Sequence, residues 1–129
     1  MTVLVAYNDS PQGEAALRRA VDEARRRRTT LAVLGLDPQD PAEPAPATLA
    51  AVLAEVAADG DVEAGPVTYR DPATDPADAI LDAADDPAVE LVVLGSRKRS
   101  PVSKFLLGST TQRVLLDTFA PVLVVKAAS

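Results

Sequence analysis

The sequence predicts a single-domain α/β fold, residues 1–129, built on a doubly wound five-stranded parallel sheet. Three observations point there. Short runs that are apolar throughout alternate with segments whose apolar residues recur at helical spacing. The apolar runs lack polar alternation, as strands covered on both faces do. Ser-Pro and Asp-Pro pairs stand where helices should begin.

The elements follow in order. "TVLVAY" (2–7) is a buried strand, stopped by "NDSP", where Ser10 caps a helix and Pro11 takes its first position. Leu17, Ala20, Val21 and Ala24 form one buried stripe, and arginines 25–28 close the helix at the negative end of its dipole. "TTLAVLGL" (29–36) is a second buried strand, and "DPQDPAEPAP" (37–46) is too interrupted by proline for regular structure. Leu49, Val52, Leu53 and Val56 repeat the helical stripe. "GPVTYR" (65–70) is a shorter, more polar strand suited to an edge. Asp75 caps and Pro76 opens a third helix with Ile80, Ala83 and Ala84 inward. "VELVVLGS" (89–96) is the most apolar strand. A fourth helix spans about Ser109 to Asp117, with Ser109 and Gln112 in the pattern of a capping box, and "PVLVV" (121–125) is the last strand.

Composition excludes several functions. With 129 residues, 47% hydrophobic, the chain is long enough for one self-sufficient core. Two Tyr and two Phe leave little for stacking platforms, and a net charge of −6 disfavours nucleic acid or membrane surfaces as partners. There is no Cys and no His, so disulfide, thiolate and imidazole chemistry are out. The opening "MTVLVAYNDS" enters a strand at once, without a basic region or a membrane-length apolar run, and a cytoplasmic location is expected.

One segment runs against the charge. Arg97, Lys98, Arg99 and Lys104 lie between Gly95 and Gly108; without them nine Lys and Arg face 19 Asp and Glu, a balance of −10. Six of those nine lie along the first helix. In a doubly wound sheet ligands bind beyond the carboxyl ends of the strands, where the winding reverses. "YNDS", "GLDP" and "GSRK…LGS" meet there. A helix opening Gly108-Ser109-Thr110 receives anions through free N–H groups and hydroxyls, and the basic residues would offset phosphate charge. The same residues also read as an ordinary capped helix behind a solvated loop.

Along nearly its whole length the chain resembles the universal stress proteins. The likeness is carried by "VLVAYNDSPQGEAALRRAVDEARRR", "DPADAILDAADDPAVELVVLGS" and "LGSRKRSPVSKFLLGSTTQRVLLDTFAPVLVV". It implies a Rossmann-like sheet of the adenine nucleotide alpha hydrolase-like kind, in the order 3-2-1-4-5. It further implies a homodimer formed by the last strands and a role in stress response and signalling exercised by binding, not catalysis. One branch of the family binds ATP with magnesium; another does not. The ATP-binding branch carries Gly, two residues, Gly, nine residues, Gly, then Ser or Thr. Gly95, Gly108 and Ser109 match, but Lys98 stands at the middle glycine, and Asn8 stands where that branch commonly has Asp. By resemblance, Gly95, Arg97, Lys98, Gly108, Ser109 and Thr110 would hold phosphates, and Asn8 and Leu36 the ribose and adenine.

Other readings remain. The fold could act as an interaction module for a protein partner without nucleotide, and "PVLVV" at an open edge invites a second copy. A phosphorylated receiver would use Asp9, Asp71, Ser96 and Lys126, but no fifth helix follows the last strand. No nucleophile–base pair is visible; Asp82, Asp85 and Asp86 form the one imaginable metal cluster and read more simply as an acidic helix end.

Overall fold

Apolar β-branched residues at consecutive positions have no solvent face, and in the computed structural model, which describes residues 1–96 and 108–127, they lie at the centre of the sheet. Strand β1 (Thr2–Tyr7) is buried from Val3 onward. It pairs in parallel with β2 (Thr30–Gly35) on one side and β4 (Val89–Ser96) on the other. Outside these lie β3 (Ala64–Tyr69) and β5 (Val122–Lys126), giving the order β3-β2-β1-β4-β5 with both outer strands open at an edge. The polar alternation of β3 agrees with that placement.

Successive side chains of each strand point to opposite faces and so divide the core in two. Val3, Val5, Leu31, Val33, Leu91 and Val93 pack against helices α1 (Pro11–Arg27) and α2 (Ala47–Asp59) through Ala16, Leu17, Ala20, Leu49, Val52 and Val56. Leu4, Ala6, Val92 and Leu94 pack against α3 (Pro76–Ala84) and α4 (Ser109–Asp117) through Ala77, Ile80, Ala84 and Val114.

The caps account for the helix starts. Ser10 Oγ accepts from the Gly13 N–H at 3.0 Å, and Asp75 accepts from Ala77 and Asp78. Helix α4 departs from expectation. Its N-cap is Gly108, which has no side chain to cap with; Ser109 is the first helical residue and not the cap of a capping box. The proline-rich 37–46 segment contains neither helix nor strand.

Arginines hold the helices at their ends. Arg25 reaches Asp22 on its own helix and Asp59 and Asp61 at the end of α2, while Arg18 spans Glu14 and Glu55. Glu23, 8% exposed, receives Arg19, Arg26 and Arg27. Burial opposes its charge, but the neighbouring guanidiniums of Arg26, Arg19 and Arg27 outweigh that and hold the carboxyl below the usual range. A lowered folded-state pKa adds stability that is present above the unfolded value and lost as pH falls through the folded one. Glu23→Gln should therefore cost on the order of 1 kcal/mol at neutral pH. The variant should lose less stability than the parent as urea denaturation is taken down to about pH 3. Parallel losses in the two proteins would remove Glu23 from the acid response.

Candidate functional site

The winding reverses between β1 and β4, and a cleft of about 290 Å³ opens at the carboxyl ends of the strands there. Ala6, Leu94 and Ile80 floor it; Asn8, Leu36, Asp37, Arg70, Gly95, Thr110 and Thr111 supply the rest of its wall with Pro76. Of the residues singled out in the sequence, Asn8, Leu36, Gly95 and Thr110 are thus brought together. Gly108 and Ser109 stand at the same helix start but not on the cleft wall, and Thr111 takes a place there instead. Arg97 and Lys98 lie outside the described residues.

Local chemistry sets each position. Ser10 donates its hydroxyl to Asn8 Oδ1 while capping α1, which leaves the Asn8 amide NH2 as the group available to the cleft. Asp9 N–H donates to Asp37 Oδ2 at 3.0 Å, tying the turn after β1 to the turn after β2. Tyr7 lies behind this turn with its hydroxyl 3.4 Å from Asp9 Oδ1. Burial, then the charge of Asp9, push its phenol up to about 12, so it stays protonated at neutral pH. At α4 the first intrahelical bond is Gln112 N–H to Gly108 O at 3.0 Å. The N–H groups of Ser109, Thr110 and Thr111 consequently have no acceptor within the helix and carry the positive end of its dipole.

Gly95 has a packing duty that the motif does not reveal. A Cβ there would lie 2.2 Å from the Gln12 carbonyl oxygen, so the first turn of α1 rests directly on the end of β4. Gly13 does the same against the turn after β1, where a Cβ would lie 1.8 Å from Asn8 O. These two glycines bring the helix start, Asn8 and the β4 end into one corner.

Arg70, just past β3, is a site residue that the strand pattern does not single out. Its Nε donates to Leu36 O at 2.8 Å and its Nη1 to Thr74 O at 2.7 Å, bracing the β2 end against the loop before α3. Arg113 joins Asp75, the cap of α3, and Asp78 within it to Asp117 of its own helix, holding α3 to α4 next to the cleft.

Two of the receiver positions, Asp71 and Lys126, are at the surface. Asp71 is exposed and accepts from the Ala73 N–H at 2.8 Å in a turn, and Lys126 is exposed at the end of β5. Asp82, Asp85 and Asp86 line a separate cleft of about 600 Å³ at the opposite end of the sheet, beside Asp117 and Phe119. Among the described residues no three carboxylates form a group that could hold a metal ion, and no helix is long and apolar enough to cross a membrane.

A family model described as the universal stress protein family matches residues 1–126. The chain belongs to the universal stress protein family. A curated universal stress protein of Mycolicibacterium smegmatis is 38% identical over 125 residues, 96% of either chain. The structure of a universal stress protein from Archaeoglobus fulgidus superposes with a TM-score of 0.73 at 30% identity, covering 98% of both chains. A structure of the A. fulgidus universal stress protein in complex with dAMP superposes with a TM-score of 0.64 at 25% identity, again over 98% of both chains. The α/β architecture and the order 3-2-1-4-5 expected of a universal stress protein are those observed.

Proposed function

We propose that this universal stress protein works as a cytoplasmic homodimer that binds an adenine nucleotide in the cleft at the switch point and acts through binding, not turnover. The observation that carries the reading is the meeting of Asn8, Leu36, Gly95 and Thr110 in one cleft at the start of α4. Phosphate oxygens would take the first-turn N–H groups of α4 and the Thr110 and Thr111 hydroxyls. Leu36 and Ile80 offer apolar surface to a base, and Asn8 a donor to ribose. The relative solved with dAMP supports the ligand class. ATP with magnesium is the finer form of the proposal, with Arg97 and Lys98 as counter-ions. Asn8 serves a metal less well than Asp would, so magnesium would be held chiefly by the phosphates.

The dimer is proposed through β5. That strand is a sheet edge; in the turn before it Phe119 is fully exposed, and at the end of α4 Leu116 is 83% exposed.

Native mass spectrometry of the purified protein, followed by titration with ATP and magnesium and with dAMP, tests both parts. The expected result is a dimer binding nucleotide at about micromolar concentration. Gly108→Leu should weaken that binding by tenfold or more, of the order lost with one or two charge-assisted hydrogen bonds. Gly108 has φ −63°, which any residue adopts, so the variant should fold and dimerise. A dimer indifferent to every nucleotide would leave the protein as an interaction module, with the basic residues of 97–104 as the candidate contact for a protein partner.

A further inference from the structure

We propose that Arg70 and Asp37 together read the hydrogen-bonding edge of the base in the cleft, a role that rests on the nucleotide reading above. Arg70 is half-buried and its guanidinium is fixed by two backbone carbonyls, Leu36 O and Thr74 O, not by a carboxylate. Guanidinium carries five N–H donors in a planar fork. Two are used, and three remain at the cleft wall. The other arginines of α1 through Arg27, and Arg113 on α4, are matched by carboxylates; among the described residues Arg70 has no ion pair. Its remaining donors can meet a ligand acceptor without first breaking an ion pair.

Asp37 complements it. One of its oxygens, Oδ2, accepts the Asp9 N–H, and Oδ1 is left to accept again. Both residues line the cleft, yet no ion pair joins them, so neither has neutralised the other. Between them the Leu36 N–H is engaged with Tyr7 O at 2.7 Å, while its carbonyl receives Arg70 and keeps a second lone pair. Leu36 therefore has no donor for a base, and Arg70 supplies one.

Position assigns the pair to the base. Thr110 and Thr111 bring the anion-receiving helix start to the cleft, while Arg70 and Asp37 follow β3 and β2, the strands farthest from α4 in the sheet order. A nucleotide with its phosphate at α4 and its ring against Leu36 and Ile80 brings the base edge to Arg70. An adenine edge sets a ring-nitrogen acceptor beside an amino donor. The guanidinium donates to the first, and the Asp37 carboxylate accepts from the second.

The test compares AMP with ribose 5-phosphate, which keeps the phosphate and lacks the base. Titrations followed by amide NMR extend to weak binders. Arg70→Met and Asp37→Asn are each expected to weaken AMP by about tenfold or more. Ribose 5-phosphate should bind both as it binds the parent protein. Asp37→Asn leaves the Arg70 brace to Thr74 in place and keeps a side-chain oxygen to accept the Asp9 N–H, so its loss of AMP does not reflect a loosened loop. Equal losses for the two ligands would make Arg70 a phosphate residue and overturn the proposal, as would unchanged AMP affinity or a loss confined to Arg70→Met. A parent protein that binds neither ligand would instead remove the nucleotide reading itself.

Discussion

Gly13→Ala is expected to destabilise the protein by about 3 kcal/mol, the upper end of the range for overpacking a tight contact. The methyl carbon would lie 1.8 Å from Asn8 O, 2.6 Å from Asn8 Oδ1 and 2.8 Å from Asn8 C, all far inside van der Waals contact. Neither partner can yield cheaply. Asn8 O is fixed by the Ser10 N–H at 2.9 Å, and the Asn8 side chain by the Ser10 hydroxyl. Helix α1 must therefore lift its first turn, and that turn also rests on Gly95, where the same displacement opens the β4 end. In an exposed helix, Gly→Ala would instead stabilise by up to about 1 kcal/mol, so the sign of the result decides the matter. Urea denaturation reads it directly. A variant as stable as the parent would mean that α1 does not sit this close to the turn after β1. Nucleotide affinity should fall with stability, because Asn8 and Gly95 share the corner that moves.

That coupling marks where sequence reading stops. The strands were legible because buried parallel strands need uninterrupted apolar residues, and α1 and α3 because Ser10-Pro11 and Asp75-Pro76 are caps followed by the residue that only a first turn tolerates. The span of α4 follows from the sequence, Ser109 to Asp117, but its cap lies one position earlier, at Gly108. Both Gly108 and Ser109 can precede a helix, and nothing local distinguishes an N-cap from a first turn when the neighbour is glycine. Within the site, Asn8, Leu36, Gly95 and Thr110 follow from the rule that strand ends meet at the switch point. Arg70 does not follow, because its importance arises from Leu36 O and Thr74 O, 34 and four residues away in sequence. Gly95 was legible as a motif glycine, but its contact with Gln12 is a tertiary fact. A glycine chosen for close packing and one chosen for phosphate approach look alike in a chain.

Phe119→Asp combined with Leu116→Glu is expected to turn the proposed dimer into a monomer at micromolar concentration. Full burial of a Phe or Leu side chain contributes about 1.5 to 3 kcal/mol. A two-fold interface counts every residue twice, so the four side chains represent roughly 6 to 12 kcal/mol of gross apolar driving force. Charges in their place add desolvation cost on top of that loss. A weakening of at least a hundredfold should follow. Because Phe119 is fully exposed and Leu116 is 83% exposed, neither supports the fold of one protomer. A monomer with unchanged melting behaviour is the expected outcome by light scattering and calorimetry. Charge at Val124 makes a weaker test, since that side chain is half-buried in the sheet and its loss confuses folding with association. An intact dimer after the double substitution would remove Leu116 and Phe119 from the contact and leave the β5 backbone edge as the part of the proposal still to be disrupted. If the dimer dissociates while AMP still binds, cleft and interface are separate devices, as expected when one lies at the carboxyl ends of the strands and the other includes the turn at their amino ends.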